Sequence, residues 1–295
     1  MMRKLSLLST LALLVAGLFS ACKDTFVDPS IGVFSADTTA IRAYGKAQNL
    51  ALLPADLGVR YVITRANPTG KQPVKAEELE FFYTIAKLDG TLVDVARRDT
   101  AVFFQYGLNG LLPGLEIAFS KMREGEKGIF LVPSFAAFGL QGITGKLPAN
   151  TPVRFDITLT RSRSEDEQIE DFISRNKLTV NDKQTSGLRI VKTTAVPTGA
   201  ALVDGQSVTV KYSGRLLRAD KPFDSGTIDV ALGRNGVVPG FEGGIKGFRV
   251  GEKGTVVFPS ALGYGVPGRR DATNSFFVIP PYAPLAFDVE IVSAK

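Results

Sequence analysis

Histidine and tryptophan are absent from the 295 residues, and there is a single cysteine, Cys22. Without histidine, the chain cannot contain a Ser-His-Asp or Cys-His catalytic arrangement, and it has no imidazole to act as a general base or metal ligand. One cysteine excludes an internal disulfide, a cysteine-rich zinc site and dithiol redox chemistry. Any enzymatic activity must therefore use other groups.

The remaining composition is that of a folded protein. Hydrophobic residues make up 44% of the chain and charged residues 22%, which is typical of globular domains. At about 100–200 residues per domain, the length favours two domains. The formal net charge is +6, but the basic residues are scattered and form no stripe with interleaved aromatic residues, so we expect no nucleic-acid partner.

The N-terminal residues have the pattern of an export signal. Arg3 and Lys4 precede an apolar run over residues 5–19, which is shorter than the roughly 20 residues of a membrane-spanning helix. The run ends at Ser20-Ala21-Cys22, which resembles a bacterial lipobox and implies cleavage before Cys22 and lipidation of that residue. Lys23 follows, which by analogy favours the outer membrane, with the domains facing the periplasm or the cell surface. The alternative is an ordinary secretory signal with an incidental cysteine.

The rest of the sequence contains an internal repeat of two copies. The stretch 125–128 is identical to 251–254, at an offset of 126 residues, and Pro68-Thr69-Gly70 matches 197–199 at an offset of 129. A repeat of this length indicates two tandem domains rather than a solenoid.

Each copy is predicted to begin with a short helix and to continue as antiparallel sheet. Ser164 and Glu167 have the spacing of a capping box, and Asp37 is predicted to cap the corresponding helix in the first copy. Apolar residues alternate along 153–159 and 285–291, as in strands that bury one face. With one short helix predicted after Pro239, these features indicate an α+β domain.

In order along the chain, the motifs of the second copy resemble those of the FKBP-type peptidyl-prolyl cis-trans isomerases. The matching segments are Val208–Gly214, Phe223–Ser225, Val237–Gly244, Val250–Lys253, Leu262–Gly265, Ile279–Pro281 and Leu285–Glu290. The resemblance implies two tandem FKBP-like domains, each a bent antiparallel sheet wrapped around a short helix. Together with the N-terminal pattern, it predicts a signal peptide at 1–21, a tether at 22–36, a first domain at 37–162 and a second domain at 163–295.

The resemblance also implies a set of catalytic and substrate-binding residues in the second copy. Tyr264 is expected to donate its hydroxyl to a substrate carbonyl, and Asp224 to orient polar groups at the pocket edge. The backbone at Val237 and Val238 is expected to contact the bound peptide. The expected lining of the proline pocket is Tyr212, Phe223, Phe241, Ile279 and Phe287.

Departures from the family pattern are small in the second copy and larger in the first. Phe241 replaces the usual tryptophan floor, and the shortened loop after Asp224 lacks the usual basic partner of that aspartate. The longer stretch 265–277 is either a client contact or a plain surface insertion. In the first copy, Val93, Leu115 and Phe138 replace residues of the pocket, so we expect this domain to be degenerate.

Two functions fit the sequence. The first is an isomerase, without cofactor or metal, that assists the folding of exported proline-containing polypeptides, with catalysis in the second domain. Because rotation about the X-Pro bond requires no nucleophile or acid–base pair, the absence of histidine does not exclude it. The alternative is a non-catalytic lipoprotein that uses both domains as peptide-binding or protein-binding modules in a chaperone or secretion assembly.

Overall fold

The computed structural model describes residues 29–95, 100–108 and 110–295. The predicted signal peptide and lipidation site, Cys22, lie outside these residues. The helices are α1 (Pro29–Ala47), α2 (Pro113–Ser120), α3 (Glu165–Arg175) and α4 (Pro239–Ile245). In this part of the chain, no helix is long and apolar enough to cross a membrane.

The first repeat forms a seven-stranded antiparallel sheet. Its strands are β1 (Leu53–Pro54), β2 (Arg60–Arg65), β3 (Glu78–Lys87), β4 (Leu92–Val95), β5 (Val102–Gln105), β6 (Lys127–Val132) and β7 (Val153–Arg163). They are ordered β1-β2-β6-β7-β3-β4, and β5 pairs with β3. Helix α2 lies against the concave face, where Ala118 and Phe119 are fully buried with the alternate residues of β7.

The second repeat has the same plan. Its main strands are β8 (Asp182–Lys183), β9 (Arg189–Thr194), β10 (Ser207–Leu216), β11 (Asp224–Ala231), β12 (Lys253–Phe258) and β15 (Leu285–Ala294), while β13 (Arg269–Arg270) and β14 (Phe277–Ile279) form a separate hairpin. The sheet order is β11-β10-β15-β12-β9-β8. Helix α4 packs on β12 and β15, with Phe241 and Ile245 in the core. The predicted α+β architecture, a sheet with one short helix in each of two repeats, is confirmed.

Helix α4 packs unusually close to the sheet because two of its glycines face the β12 side chains. A Cβ atom on Gly240 would lie 2.3 Å from Cγ of Phe258, and one on Gly244 would lie 2.2 Å from Cγ1 of Val256. No larger residue fits at either position without moving the helix. The two glycines therefore let α4 lie directly against β12.

The helix before each repeat packs on the back of that repeat. The capping box of α3 is confirmed: the Glu167 backbone N–H donates to Ser164 Oγ at 3.3 Å, and the Ser164 N–H donates to the Glu167 carboxylate at 2.7 Å. Ile169 and Phe172 of α3 are buried beside Leu217.

The prediction that Asp37 caps the first helix is wrong. Among the described residues, helix α1 spans Pro29–Ala47 and so includes part of the segment predicted as a tether. Asp37 lies within α1, is buried, and accepts a hydrogen bond from the Ser134 N–H at 2.7 Å. Glu165 accepts equivalent bonds from Ser260, so the two acidic residues tie their helices to matching loops.

Candidate active site

A cavity of about 420 Å³ opens between the sheet of the second repeat and helix α4. Strand β10 supplies one wall, β15 the floor, and the segment before α4 the opposite wall. Its lining residues are Tyr212, Asp224, Ile228, Asn235, Gly236, Val237, Val238, Phe241, Tyr264 and Phe287. The chain thus brings residues from five separate segments to one concave site.

Three aromatic rings form the base of the cavity. Phe287 lies at the centre, with its ring centroid 5.1 Å from that of Phe241 and 6.4 Å from that of Tyr212. Tyr212 and Phe241 meet edge to face at 5.8 Å. Phe258 stacks beneath Phe287 at 5.7 Å, so a second aromatic layer supports the floor. This packing gives an apolar floor whose rings are held in place by a second layer of side chains.

The rim of the cavity is polar. The Tyr212 hydroxyl donates a hydrogen bond to the Asp224 carboxylate at 3.1 Å. Burial raises the pKa of Tyr212, and the hydrogen bond to Asp224 raises it further. The phenol is therefore neutral throughout the physiological range, and its one O–H donates to Asp224.

The segment before α4 is held from below by a buried carboxylate. Glu242 is 6% exposed and accepts a hydrogen bond from the Gly233 N–H at 2.8 Å. This bond lowers the pKa of Glu242, as does its ion pair with Lys246. Val238 has extended backbone and leads directly into α4, so the anchored turn fixes the part of the chain expected to contact a peptide.

A basic side chain lies beside the cavity, although the loop after Asp224 provides none. The Arg269 guanidinium lies 5.4 Å from the ring centroid of Phe223 and 5.6 Å from that of Tyr264. Its positive charge opposes the rise in the pKa of Tyr212. The Arg269 Nε is buried and has no hydrogen-bond partner in the described part of the chain. The hairpin β13–β14 supplies this charge, which sequence spacing alone did not reveal.

The structure brings together most of the predicted site residues. Of the nine, all but two line the cavity. Phe223 is half-buried behind the floor, where its ring packs edge to face on Phe287 at 5.7 Å. Ile279 is fully buried in the core of the second repeat. The roles assigned to all nine stay predictions.

Three lining residues were not predicted from the sequence. Ile228 belongs to β11, and alternation along that strand was the one signal that could have indicated it. Asn235 and Gly236 belong to the turn before α4, where Asn235 has φ +53°. A turn of this kind indicates a backbone conformation but not its position beside a cavity.

The corresponding region of the first repeat keeps the polar pair and loses aromatic rings. The Tyr83 hydroxyl donates to Asp94 at 2.8 Å, and burial together with that bond raises the pKa of Tyr83 to about 12. Val93, Leu115 and Phe138 stand where the second repeat has Phe223, Phe241 and Tyr264. The first repeat therefore lacks the hydroxyl that Tyr264 provides, and it lacks the aromatic rings of Phe223 and Phe241.

The second-repeat cavity has the properties needed to bind an apolar ring next to an amide. Its floor is aromatic, and its rim carries the Tyr212 phenol, the Asp224 carboxylate and backbone groups. No side chain at the site is a strong nucleophile. The arrangement favours binding and distortion of a planar group over bond cleavage.

The chain is similar to several known proteins. The family model for FKBP-type peptidyl-prolyl cis-trans isomerases matches residues 69–160 and 199–292. Human peptidyl-prolyl cis-trans isomerase FKBP9 is 28% identical over 222 residues, which cover 72% of this chain and 34% of that protein. Arabidopsis thaliana peptidyl-prolyl cis-trans isomerase FKBP53 is 35% identical over 103 residues, which cover 34% of this chain and 20% of that protein.

Among solved structures, the three FKBP domains of wheat FKBP73 align with 81% of this chain and 96% of that chain, at 21% identity and a TM-score of 0.38. The chain spans about a third of the length of the curated FKBP9 relatives it matches.

Proposed function

The chain belongs to the FKBP-type peptidyl-prolyl cis-trans isomerase family, and on that premise we propose that the cavity of its second repeat catalyses cis-trans isomerisation of X-Pro bonds in polypeptides. The observation that carries the proposal is the aromatic floor beneath a polar rim, with Phe287 packed on Phe241 and the Tyr212 hydroxyl bonded to Asp224. A proline ring fits the floor, and the adjacent amide then lies at the rim.

The chemistry needs only a change in the environment of the amide. Amide resonance produces a rotation barrier of about 18–20 kcal/mol. An apolar surface removes water that stabilises the charge-separated resonance form, and this lowers the barrier. In the proposed complex, the Tyr264 hydroxyl donates to a substrate carbonyl and the backbone at Val237 and Val238 holds the flanking peptide. These contacts accelerate the reaction to the extent that they favour the twisted amide over the planar one.

A protease-coupled assay on a short Leu-Pro peptide tests the proposal. Tyr264→Phe keeps the ring and removes the hydroxyl, so we expect kcat/KM to fall by about 2- to 12-fold, which corresponds to a hydrogen bond of about 0.5–1.5 kcal/mol. The matched control is Phe138→Leu at the equivalent position of the first repeat, which should leave the rate unchanged. Absence of any acceleration by the folded wild-type protein would contradict the proposal.

We further propose that the first repeat, residues 37–162, is a degenerate domain and that catalysis belongs to residues 163–295. The smaller side chains of the first repeat support this division, because Leu115 replaces the floor ring of Phe241 and Val93 replaces Phe223, which packs behind the floor. The same observation favours the second candidate function, in which both domains only bind polypeptides. The two candidates differ in one measurable property, because only the isomerase accelerates X-Pro exchange.

The proposed setting is the bacterial envelope, with exported polypeptides as substrates. The support is sequence-based: Arg3 and Lys4, the short apolar run after them, and the lipobox-like residues that end at Cys22. Two or more acyl chains would give stable attachment to the outer membrane. Expression of the wild type and Cys22→Ala in a bacterial host with labelled palmitate tests this. Label in the wild type alone supports lipidation, and an unlabelled wild type contradicts it.

A further inference from the structure

A second and larger cavity, about 680 Å³ in volume, lies between the two repeats. We call it the interdomain groove. Phe103 and Phe104 of β5 line one side, and Phe277 with Pro280, Pro281 and Pro284 lines the other. Most of this lining is apolar. Soluble proteins seldom leave such a concave apolar surface uncovered unless it binds something.

The two sides of the groove are joined by one arginine. Arg218 of the second repeat forms a bidentate pair with Glu78 of the first, with N–O distances of 3.0–3.1 Å. Its guanidinium also stacks on Phe103, 3.8 Å from the ring centroid. This combination joins the two walls, and the Glu78 carboxylate is shared with Arg163, whose guanidinium lies 3.2 Å from it.

Two other arginines lining the groove have no such partner. Arg175 donates to the Leu217 carbonyl at 3.2 Å, and Arg270 donates to the Asn274 carbonyl at 3.4 Å. Neither guanidinium pairs with a carboxylate within the part of the chain that the structure describes. Burial and the nearby charge of Arg218 lower the pKa of Arg175, and the carboxylates of Asp171 and Glu78 offset this only in part. The groove is therefore apolar and electropositive.

The groove adjoins the candidate active site through a single hairpin. Successive residues of a strand point to opposite faces, and β13 contains only Arg269 and Arg270. Arg269 lies over Tyr264 on the side of the first cavity, whereas Arg270 lies over Phe277, 3.9 Å from its centroid, on the side of the groove. The exposed Phe276 lies at the tip. The hairpin thus places one arginine beside each cavity.

We propose that the interdomain groove is a second polypeptide-binding site. It binds an apolar segment that carries acidic side chains, and this segment belongs to the same unfolded polypeptide whose proline occupies the active site. The apolar walls match the hydrophobic residues of such a segment. Arg175 and Arg270 match its carboxylates, because a guanidinium binds a carboxylate through paired hydrogen bonds. The choice of a polypeptide rests on the proposed function, but binding in the groove does not require turnover.

Fluorescence anisotropy on the purified full chain in mild nonionic detergent tests the proposal. The probe is a labelled 12-residue peptide without proline, in which Leu and Phe alternate with Glu; a second probe has Lys in place of Glu. We expect the Glu peptide to bind more tightly than the Lys peptide. The double variant Arg175→Gln/Arg270→Gln should weaken binding of the Glu peptide by about tenfold or more, the loss expected for charge-assisted hydrogen bonds.

Matched variants separate this site from general surface charge. Arg42→Gln/Lys46→Gln removes two exposed charges of α1 and should leave the affinity unchanged. Phe103→Ala should weaken both probes because it removes part of the apolar wall. Equal affinity for the two probes, or an equal loss in both double variants, would overturn the proposal.

Turnover of a short Leu-Pro peptide is measured in the same samples. We expect the groove variants to retain the wild-type rate, since neither arginine lines the active-site cavity. If the protein binds the Glu peptide with the expected variant pattern but isomerises nothing, the proposed catalysis fails and the groove stands. If the protein isomerises the Leu-Pro peptide but the groove variants do not change binding of the Glu peptide, the proposed groove site fails and the proposed catalysis stands.

Discussion

The two repeats contain the same tyrosine–aspartate pair, and this offers an internal control for the location of catalysis. Tyr212 donates to Asp224 at 3.1 Å beside the aromatic floor, and Tyr83 donates to Asp94 at 2.8 Å in the first repeat. The variants Tyr212→Phe and Tyr83→Phe remove the same atom from each pair and leave the rings in place. If only the second repeat is catalytic, the first variant should lower activity and the second should not.

The expected size of the effect follows from the exposure of the pair. A hydrogen bond to a charged group contributes about 1.5–3 kcal/mol when it is protected from water. Asp224 is exposed, so screening reduces the contribution of this bond to about 1 kcal/mol. If the bond is needed to orient the rim in the transition state, Tyr212→Phe lowers kcat/KM by about fivefold.

The assay is kcat/KM for a Leu-Pro peptide, measured together with the thermal unfolding of each variant. Both variants should be slightly less stable than the wild type, and only Tyr212→Phe should be slower. A loss of activity in Tyr83→Phe equal to that in Tyr212→Phe would refute the assignment of catalysis to the second repeat. Unchanged kcat/KM in Tyr212→Phe would refute the role given to the rim.

Three further predictions concern stability. Folding raises the pKa of Tyr83 from 10.0 to about 12, so the native state favours the neutral phenol. The resulting stabilisation is fully present below pH 10 and is lost as the pH rises to 12. The free energy of unfolding, measured by chemical denaturation over this range, should therefore depend less on pH in Tyr83→Phe than in the wild type. Gly244→Ala places Cβ 2.2 Å from Val256 Cγ1 and should lower the free energy of unfolding in urea by about 1–3 kcal/mol. The control Gly243→Ala, whose Cβ would have its nearest contact at 3.6 Å, should not lower it, and equal effects of the two variants would contradict the close packing of α4. Ser164→Ala removes the cap of α3 and should cost about 1 kcal/mol by the same measurement, with Ser164→Thr close to the wild type.

The sequence was sufficient to predict the architecture because the repeat and the strand periodicity are local signals. Val153, Phe155, Ile157 and Leu159 alternate along β7, and all four are almost fully buried. The aromatic floor was predicted from the family resemblance, which assigns Phe241 and Phe287 to the pocket. Strand alternation places Phe287 at an inward position, but it does not distinguish a pocket residue from a core residue.

Features that depend on the approach of distant segments could not be predicted. Arg269 is more than 40 residues from Phe223 along the chain, and only the folded hairpin brings its charge over that ring. Arg218 and Glu78 belong to different repeats, so no periodicity within one repeat indicates their pairing. Asp37 resembled a cap by composition, but its buried contact with Ser134 depends on where α1 lies on the sheet.

The most direct test of the central claim is the cis–trans exchange rate of an Ala-Leu-Pro-Phe peptide, measured by exchange NMR with and without the protein. The account predicts acceleration by the wild type and its loss in the double variant Phe223→Ala/Tyr264→Phe, whose circular dichroism should remain that of a folded protein. Acceleration of equal size by the folded double variant would contradict catalysis in the second repeat, and no acceleration by the wild type would contradict catalysis by this chain.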